Sequence, residues 1–368
     1  MIVPFNKLQI VHEELKPSLL SALENVISTS AFIHGNDLRQ FEQTYAAYSG
    51  VTHCIGVGNG FDALKVALKV LGIGMGDKVV VPAHTFSATW MAVTEVGATP
   101  VGCDVDAATY NINVEELIKL DDPTIKAVIP VHIYGLPCLM DEILQIAELK
   151  KWFVIEDNAQ AQGATYGGKP TGSFGVINAT SFYPGKNLGA LGDGGAITTN
   201  NQSLANKAAQ FGNYGSLVKY EHDSLGVNSR LDTLQAAFLS IKLKHLSAWN
   251  EQRRKIVQRY KTQLQGVDNI QWQHTPDECT HVYHLATILT SKRDELQIYL
   301  QTKGIQTIIH YPIAPHLQKA FKPLGYKHGD FPIAENTAAT TLSLPLFIGM
   351  TDDEIDYVAE QLRNFFKL

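Results

Sequence analysis

Lys186 is the first candidate for chemistry in this sequence, because it is the only basic residue in the run SFYPGKNLGALGDGGAI at residues 181–197. A phosphate-binding loop of the P-loop type requires a glycine five residues before the Gly-Lys pair and a Ser or Thr after the lysine. Thr180 and Asn187 occupy those positions, so the spacing excludes that motif. Two interpretations remain open: a lysine that forms a Schiff base with an aldehyde in a sheltered pocket, or a solvated loop lysine.

Other polar residues follow apolar runs that predict buried strands. Asp157 and Gln160 come at the end of WFVIEDNAQ, where a buried carboxylate is costly unless a cation meets it. A protonated pyridine nitrogen would be such a cation, and a helix cap or turn residue is the alternative interpretation of Asp157. Gly58, Asn59 and Gly60 follow another run and precede a helical pattern, which indicates either a backbone amide cradle for a phosphate or a simple tight turn.

Phe86 follows a third apolar run and could lie flat on a planar ring, although a core position is the alternative. An amide cradle, an aromatic side chain, a buried acid and a lysine downstream of that acid together describe a pocket for pyridoxal phosphate (PLP).

The elements that must position these residues alternate between strand and helix patterns. Apolar runs at 53–60, 78–86, 98–106, 125–135 and 152–160 predict strands, and 61–73 and 140–150 predict helices. This alternation favours a mostly parallel, doubly wound sheet with its ligand beyond the carboxyl ends of the strands. A long helical stretch at 229–264 precedes a strand signal at 281–290 and helices at 293–304 and 352–366, which suits a smaller α+β domain. We therefore predict a large PLP-binding domain over residues 1–245 and a small domain over 246–368.

Composition excludes several classes of protein. The 368 residues are 45% hydrophobic and 18% charged, as in an ordinary globular protein, and 30 Lys and Arg against 36 Asp and Glu give a net charge of −6 without a basic cluster. We therefore expect no nucleic-acid partner. No apolar run approaches the length of a membrane span and the start has no signal-peptide pattern, so we expect no membrane association. The four cysteines lie far apart without a C-x-x-C pair, which predicts no metal site and a reduced, cytoplasmic protein.

The motifs VIEDNAQAQGATYGGKPTGSFG, ATSFYPGKNLGALGDGGAI and GVNSRLDTLQAAFLSIKL resemble those of the DegT/DnrJ/EryC1/StrS sugar aminotransferases, and the resemblance covers nearly the whole chain. It implies the aspartate aminotransferase (fold type I) architecture: a three-layer α/β/α large domain with a mostly parallel sheet, plus a small C-terminal α+β domain. Within the group, GVGNGFDAL, EDNAQAQGA and IIHYPIAPH look most like the enzymes that aminate C3 of dTDP-3-keto-6-deoxyhexoses.

The resemblance also implies a role for each site residue. Lys186 would carry PLP and act as the catalytic base, while the cofactor would cycle through pyridoxamine phosphate. The implied cofactor ligands are Asp157 at the pyridinium nitrogen, Gln160 at the phenolic oxygen, Phe86 over the ring, and Gly60, Phe61 and Ser181 at the phosphate, with Asn228 reaching across from a second subunit. The sugar would contact Tyr183, His310 and Tyr311, and its nucleotide diphosphate Arg230, with Tyr220 and Asn213 in a covering segment. Judged by residue type alone, each of these could be structural, and Arg230 could pair with Asp232 or another acid.

The implied activity is transfer of an amino group from L-glutamate to a nucleotide-linked ketosugar by a homodimer with shared active sites, for surface glycan biosynthesis. Amination of C4 on a dTDP- or UDP-4-keto-6-deoxyhexose is the alternative. PLP-dependent sugar dehydratases of this fold replace the lysine by histidine, and a non-catalytic binding protein would be expected to lose Lys186 or Asp157, so the presence of both counts against these two classes. A Rossmann dehydrogenase requires G-x-G-x-x-G after the first strand, and the glycines of GVGNG miss that spacing.

Overall fold

The structure, a computed structural model, describes residues 1–367. Its helices are α1 Gln9–Thr29, α2 Asn36–Tyr48, α3 Gly60–Val70, α4 Ala88–Glu95, α5 Val114–Leu117, α6 Met140–Lys150, α7 Gln202–Gly212, α8 Thr233–Leu243, α9 Leu246–Gln263, α10 Arg293–Thr302, α11 Pro332–Thr340 and α12 Asp352–Lys367. Its strands are β1 His53–Val57, β2 Lys78–Pro82, β3 Thr99–Cys103, β4 Ile125–Val128, β5 Phe153–Asp157, β6 Thr165–Tyr166, β7 Lys169–Pro170, β8 Ile177–Ser181, β9 Gly195–Thr199, β10 Gln271–Trp272, β11 Cys279–Thr280, β12 Ala286–Leu289 and β13 Thr341–Leu344.

A seven-stranded sheet in the order β1-β9-β8-β5-β4-β2-β3 forms the centre of the fold. Every neighbouring pair is parallel except those that involve β9, which runs antiparallel to both β1 and β8. Strands β1 and β8 therefore point the same way, and Val57 and Ser181 at their carboxyl ends both pair with Gly195 of β9. This register brings the turn after β1 close to Ser181.

Burial on both faces explains why these segments form strands of a central sheet. Val79, Val80 and Val81 of β2 are all fully buried, as is typical of a β-branched run covered by helices on both sides. Helix α3 places Leu64 and Leu68 against this core, while its Lys65 and Lys69 stay partly exposed.

A second hydrophobic core surrounds the three-stranded sheet β10-β12-β13. Helices α9, α10 and α12 cover it, and α12 contributes Ile355, Val358 and Leu362 at helical spacing. Val3 is buried in the same core and bridges to Ile305, so the amino terminus packs with the carboxyl-terminal part of the chain. The domain boundary at residue 245 stays a prediction.

The predicted central sheet is confirmed, but several boundaries differ. The predicted strand 78–86 ends at Pro82 and the predicted strand 125–135 ends at Val128, so the polar residues beyond them lie in turns. The helical stretch 229–264 is two helices, α8 and α9, that meet near His245. Strands β8 and β9, on either side of the Lys186 loop, carry no strand prediction because their five-residue sequences, INATS and GAITT, are short and contain residues that are depleted in strands, namely Asn and Ala in β8 and Gly and Ala in β9. Among residues 1–367, no helix is long and apolar enough to span a bilayer.

Candidate active site

A cavity of about 700 Å³ opens beyond the carboxyl ends of β1, β2, β5 and β8. The walls include ten of the predicted site residues: Gly60, Phe61, Phe86, Asp157, Gln160, Ser181, Tyr183, Lys186, His310 and Tyr311. Side chains that are far apart in the chain meet here because parallel strands end at one edge of the sheet.

Lys186 lies in the tight loop between β8 and β9, where its backbone N–H donates to the Tyr183 carbonyl at 2.8 Å. A side chain at Gly189 would place its Cβ 2.3 Å from the Pro184 carbonyl oxygen, so glycine allows the loop to fold back on itself. Burial lowers the pKa of the Lys186 ammonium to about 8, although the charge of Asp157 opposes the change. Roughly a tenth of the amine is therefore neutral and nucleophilic at pH 7, far more than for an ordinary lysine.

Asp157 is the last residue of β5 and is 7% exposed. One carboxylate oxygen accepts a hydrogen bond from the Thr89 hydroxyl at 2.9 Å, and the other accepts one from the Ala159 N–H at 3.2 Å. Burial nevertheless raises the pKa of the carboxyl group, because these contacts and the charge of Lys186 do not fully compensate for desolvation. Within residues 1–367, the carboxylate thus has no cationic partner in direct contact.

Gln160 joins three parts of the cavity wall. Its side-chain oxygen accepts the Tyr134 N–H at 2.6 Å, and its Nε2 donates to the Tyr311 hydroxyl at 3.0 Å. Burial raises the pKa of the Tyr311 phenol, which therefore stays protonated. The Tyr134 hydroxyl donates to the His310 carbonyl and contacts His84 Nε2 at 2.6 Å. Burial and the charge of Lys186 lower the pKa of His310 to about 4, so its ring is neutral.

The turn after β1 and the start of α3 form the predicted amide cradle. Asn59 caps the helix, since its side-chain oxygen accepts the Asp62 N–H at 2.8 Å. A Cβ at Gly60 would lie 2.5 Å from the Ser181 Cβ, so only glycine lets the helix start come this close to β8. Gly60 and Phe61 at the amino end of α3 and Ser181 all line the cavity, and the amino end of a helix favours an anion.

Two aromatic side chains are unusually open for an apolar cavity wall. Phe86 is 57% exposed and Tyr183 is 60% exposed. The Phe86 ring centroid lies 5.4 Å from that of Tyr311 at a tilt of 40°, so the Phe86 ring is not packed in the core. The core interpretation of Phe86 is therefore wrong, and its face is available to a planar ligand.

Four predicted site residues do not line the cavity of the single chain: Asn213, Tyr220, Asn228 and Arg230. They belong to the 213–230 segment, which is closed at its base by an antiparallel bridge between Asn213 and Asn228. Arg230 donates from Nη1 to the Asn213 side-chain oxygen at 2.9 Å, and its buried Nε has no hydrogen-bond partner. Among residues 1–367 it forms no ion pair, so the predicted alternative of pairing with Asp232 is wrong. Tyr220 is 83% exposed.

Several residues of the site have no distinctive signal in the sequence. Thr89 reaches Asp157 from α4, Tyr134 supports Gln160 and His310, and His284 lines the cavity beside Lys186. Each stands in an ordinary apolar or polar context, and only long-range contacts bring it to the cavity. A histidine within an otherwise apolar run, as His284 is in HVYHLATILT, is the one weak signal that could have been used.

The family model for the DegT/DnrJ/EryC1/StrS aminotransferase family matches residues 13–363. The chain belongs to this family. The predicted membership and enzyme class are confirmed, and this aminotransferase has the fold type I architecture that the resemblance implies.

Relatives and solved structures agree with that assignment over the full length. The aminotransferase is 44% identical to a pleiotropic regulatory protein of Geobacillus stearothermophilus, over 100% of this chain and 99% of the relative. It is 42% identical to dTDP-3-amino-3,6-dideoxy-alpha-D-galactopyranose transaminase of Aneurinibacillus thermoaerophilus, over 99% of each chain. The crystal structure of Streptomyces venezuelae DesV with a ketimine intermediate superimposes with a TM-score of 0.98 at 39% identity, covering 100% of this chain and 99% of DesV.

A cofactor-bound structure allows a test of fit. Bacillus subtilis NtdA, solved with pyridoxamine phosphate, has a TM-score of 0.91 and 34% identity, over 96% of this chain and 82% of NtdA. In this aminotransferase the buried Asp157 carboxylate without a cation in contact, the open Phe86 face and the α3 amino end beside Ser181 match a pyridinium nitrogen, a ring and a phosphate. The residues present therefore fit this cofactor.

Proposed function

We propose that this aminotransferase moves an amino group from L-glutamate to C3 of a dTDP-3-keto-6-deoxyhexose, giving a dTDP-3-amino-3,6-dideoxyhexose for surface glycan biosynthesis. The observation that carries the proposal is a lysine with a pKa of about 8 in one cavity with a buried carboxylate whose desolvation is only partly compensated. The named activity of the Aneurinibacillus relative supports a 3-amino dTDP-sugar as product.

The enzyme uses PLP and cycles through pyridoxamine phosphate. When bound, this cofactor withdraws electrons from the carbon that gains or loses a proton. Asp157 would hold the pyridinium nitrogen protonated, Gln160 would donate to the phenolic oxygen, and Phe86 would cover the ring. Gly60, Phe61 and Ser181 would hold the phosphate.

Lys186 supplies the proton transfers. Its neutral amine can take the proton from the α-carbon of glutamate and return a proton to C3 of the sugar in the second half of the cycle, because a pKa near 8 suits both directions at neutral pH. Tyr183, His310 and Tyr311 line the space in front of the lysine and would contact the sugar hydroxyls. The neutral His310 ring and the Tyr311 hydroxyl suit uncharged groups rather than a phosphate.

We assign the 213–230 segment to the active site of a partner subunit. Arg230 would bind the substrate diphosphate, where a guanidinium gives bidentate contacts, and Asn228 would reach the cofactor phosphate. Asn213 and Tyr220 would cover the nucleotide. The support is the buried Arg230 Nε without a partner and the exposed apolar side chains Leu217 and Leu225, at 64% and 93%. A cytoplasmic location is supported by four buried cysteines without disulfides.

The reaction is tested with purified protein, PLP, L-glutamate and dTDP-3-keto-6-deoxy sugars of both C4 configurations. We expect glutamate to bleach the absorption band of the bound cofactor, and NMR of the product to show an amine at C3. An amine at C4 of a 4-keto substrate, or ketosugar consumption without an amino donor, would overturn the proposal.

The shared site is tested by mixing Lys186→Ala and Asn228→Ala subunits after reversible dissociation. If each site takes Lys186 from one subunit and Asn228 from the other, a heterodimer has one intact site of two. Because about half of the dimers in the mixture are heterodimers, roughly a quarter of wild-type activity returns. A mixture as inactive as its components would show that the site lies within one chain.

A further inference from the structure

His284 is a polar residue of the cavity that the proposed function leaves unused. It lies just before β12 and lines the cavity together with Lys186. Its Nδ1 lies 3.2 Å from the side-chain oxygen of Asn187, the residue after the lysine. Its Nε2 forms no hydrogen bond among residues 1–367 and is not a buried atom, so it faces the open cavity.

A relay of side-chain amides determines which ring nitrogen carries the proton. Asn250 Nδ2 donates to the Gln162 backbone carbonyl at 2.9 Å, and a carbonyl can only accept. The Asn250 oxygen must therefore face Asn187, whose Nδ2 donates to it at 2.9 Å and to the Val282 carbonyl at 3.1 Å. Both amide hydrogens of Asn187 are used, so its oxygen is the atom left for His284 and requires a proton on Nδ1.

The ring holds one proton only. Burial lowers the pKa of His284 well below its ordinary value, and the nearby charges of Lys186 and Arg253 act in the same direction. With that single proton on Nδ1, the Nε2 atom presents a lone pair to the cavity.

We propose that His284 is a substrate-contacting residue whose Nε2 accepts a hydrogen bond from a sugar hydroxyl next to the reacting carbonyl. This assignment rests on the proposed function. A bare nitrogen lone pair repels the carboxylates of glutamate, whose amine is the reacting group, whereas the ketosugar brings hydroxyl donors. A site that holds such an acceptor rejects an analogue without the hydroxyl, because the polar atom would be buried unpaired. His284 would thus select the sugar rather than drive the proton transfer.

The tautomer is measured first, because it does not depend on any reaction. Nitrogen NMR of the PLP-loaded protein with ¹⁵N-labelled histidine, assigned by comparison with His284→Gln, should show a protonated Nδ1 and a bare Nε2 for His284 between pH 6 and pH 8, a range chosen around its ordinary titration (pKa about 6.5). A proton on Nε2, or a ring that titrates in that range, would overturn the proposal.

The two half-reactions then separate sugar contact from general damage. In single turnovers His284→Leu should react with the ketosugar roughly 10- to 100-fold more slowly or with a correspondingly weaker half-saturation, as expected for one lost hydrogen bond. Its reaction with glutamate should be unchanged. His284→Gln, whose side-chain oxygen can occupy the Nε2 position, should recover most of the loss.

His281→Gln is the matched control, since this histidine lies three residues earlier, is buried outside the cavity and bonds to Gln273. It should leave both half-reactions unchanged. Equal losses in both half-reactions of His284→Leu, or no loss with the ketosugar, would overturn the proposal. A wild-type enzyme that accepts glutamate but aminates no ketosugar would instead overturn the proposed function, and with it the hydroxyl assignment, whatever the tautomer.

Discussion

The floor of the cavity and the 213–230 segment differ in how far a single chain completes them. On the floor, Asp157, Gln160 and Lys186 are held by hydrogen bonds to neighbouring strands, loops and helices of the same chain. In the 213–230 segment, Arg230 keeps a buried Nε without a partner and Tyr220 projects into solvent. The difference shows that one chain brings the candidate reacting groups together but leaves Arg230 and Tyr220 outside the cavity, which is what the proposed shared site predicts.

Among substitutions of the floor residues, Lys186→Ala should have the largest effect. Loss of the general base and of the covalent attachment should lower turnover by roughly 10⁴-fold or more. Steady-state amine transfer measures it, with Lys207→Ala on the exposed side of α7 as the matched control. General acid–base catalysis contributes more than tenfold to a rate. Activity of Lys186→Ala within tenfold of wild type would therefore show that Lys186 is not the catalytic base.

Asp157→Asn tests whether the charge of the second candidate residue of the floor is needed for the reaction. Removing the charge should lower the turnover rate by roughly 100- to 1,000-fold, as for other preorganised electrostatic groups, with little effect on folding because the amide keeps the Thr89 contact. The rate of the glutamate half-reaction, followed by absorbance, is the measurement. If Asn is as active as Asp, the buried carboxylate is structural.

Arg230→Met tests the 213–230 segment and should leave the floor intact. We expect the half-saturation concentration for the nucleotide sugar to rise roughly 10- to 100-fold through loss of charge-assisted hydrogen bonds to the diphosphate. The glutamate half-reaction should keep its rate. Arg254→Met, in an exposed pair with Glu251, is the control. A defect in the glutamate half-reaction alone would contradict the assignment of Arg230 to binding of the nucleotide sugar.

Glu42→Gln has the smallest expected effect. It tests whether a half-buried carboxyl group outside the cavity, unlike Asp157 on the floor, affects only the stability of the fold. Burial raises the pKa of Glu42 to about 7, against the lowering effects of the Gly56 N–H and Arg39. The folded state therefore favours the protonated acid, so this group stabilises the fold below about pH 4.5 and loses that contribution as the pH rises through 7.

The Gln variant should match wild type near pH 4.5 and be more stable by about 1–2 kcal/mol at pH 8, since its side-chain oxygen can still accept the Gly56 N–H. Chemical denaturation at both pH values measures the difference. A variant that is less stable at pH 8 would show that the ionised carboxylate is favourable where it lies.

Much of the floor could be predicted because strand and helix patterns are local and the polar residues follow them directly. Asp157 ends β5, and Gly60 and Phe61 begin α3 directly after the turn that follows β1, as their apolar runs indicate. The antiparallel strand β9 could not be predicted, since its residues Gly195–Thr199 are short and weakly apolar and only pairing with β1 and β8 makes them a strand.

The sequence by itself determined the alternation of strands and helices, the family and the choice of Lys186 as the candidate reacting group, because each depends on residue type and spacing along the chain. Only the tertiary structure decided that Thr89 meets Asp157, that Asn250, Asn187 and His284 form one chain of side-chain contacts, and that Arg230 does not line the cavity of its own chain. Those facts depend on the packing of segments far apart in sequence. No local pattern encodes the distance or the dielectric environment of such contacts.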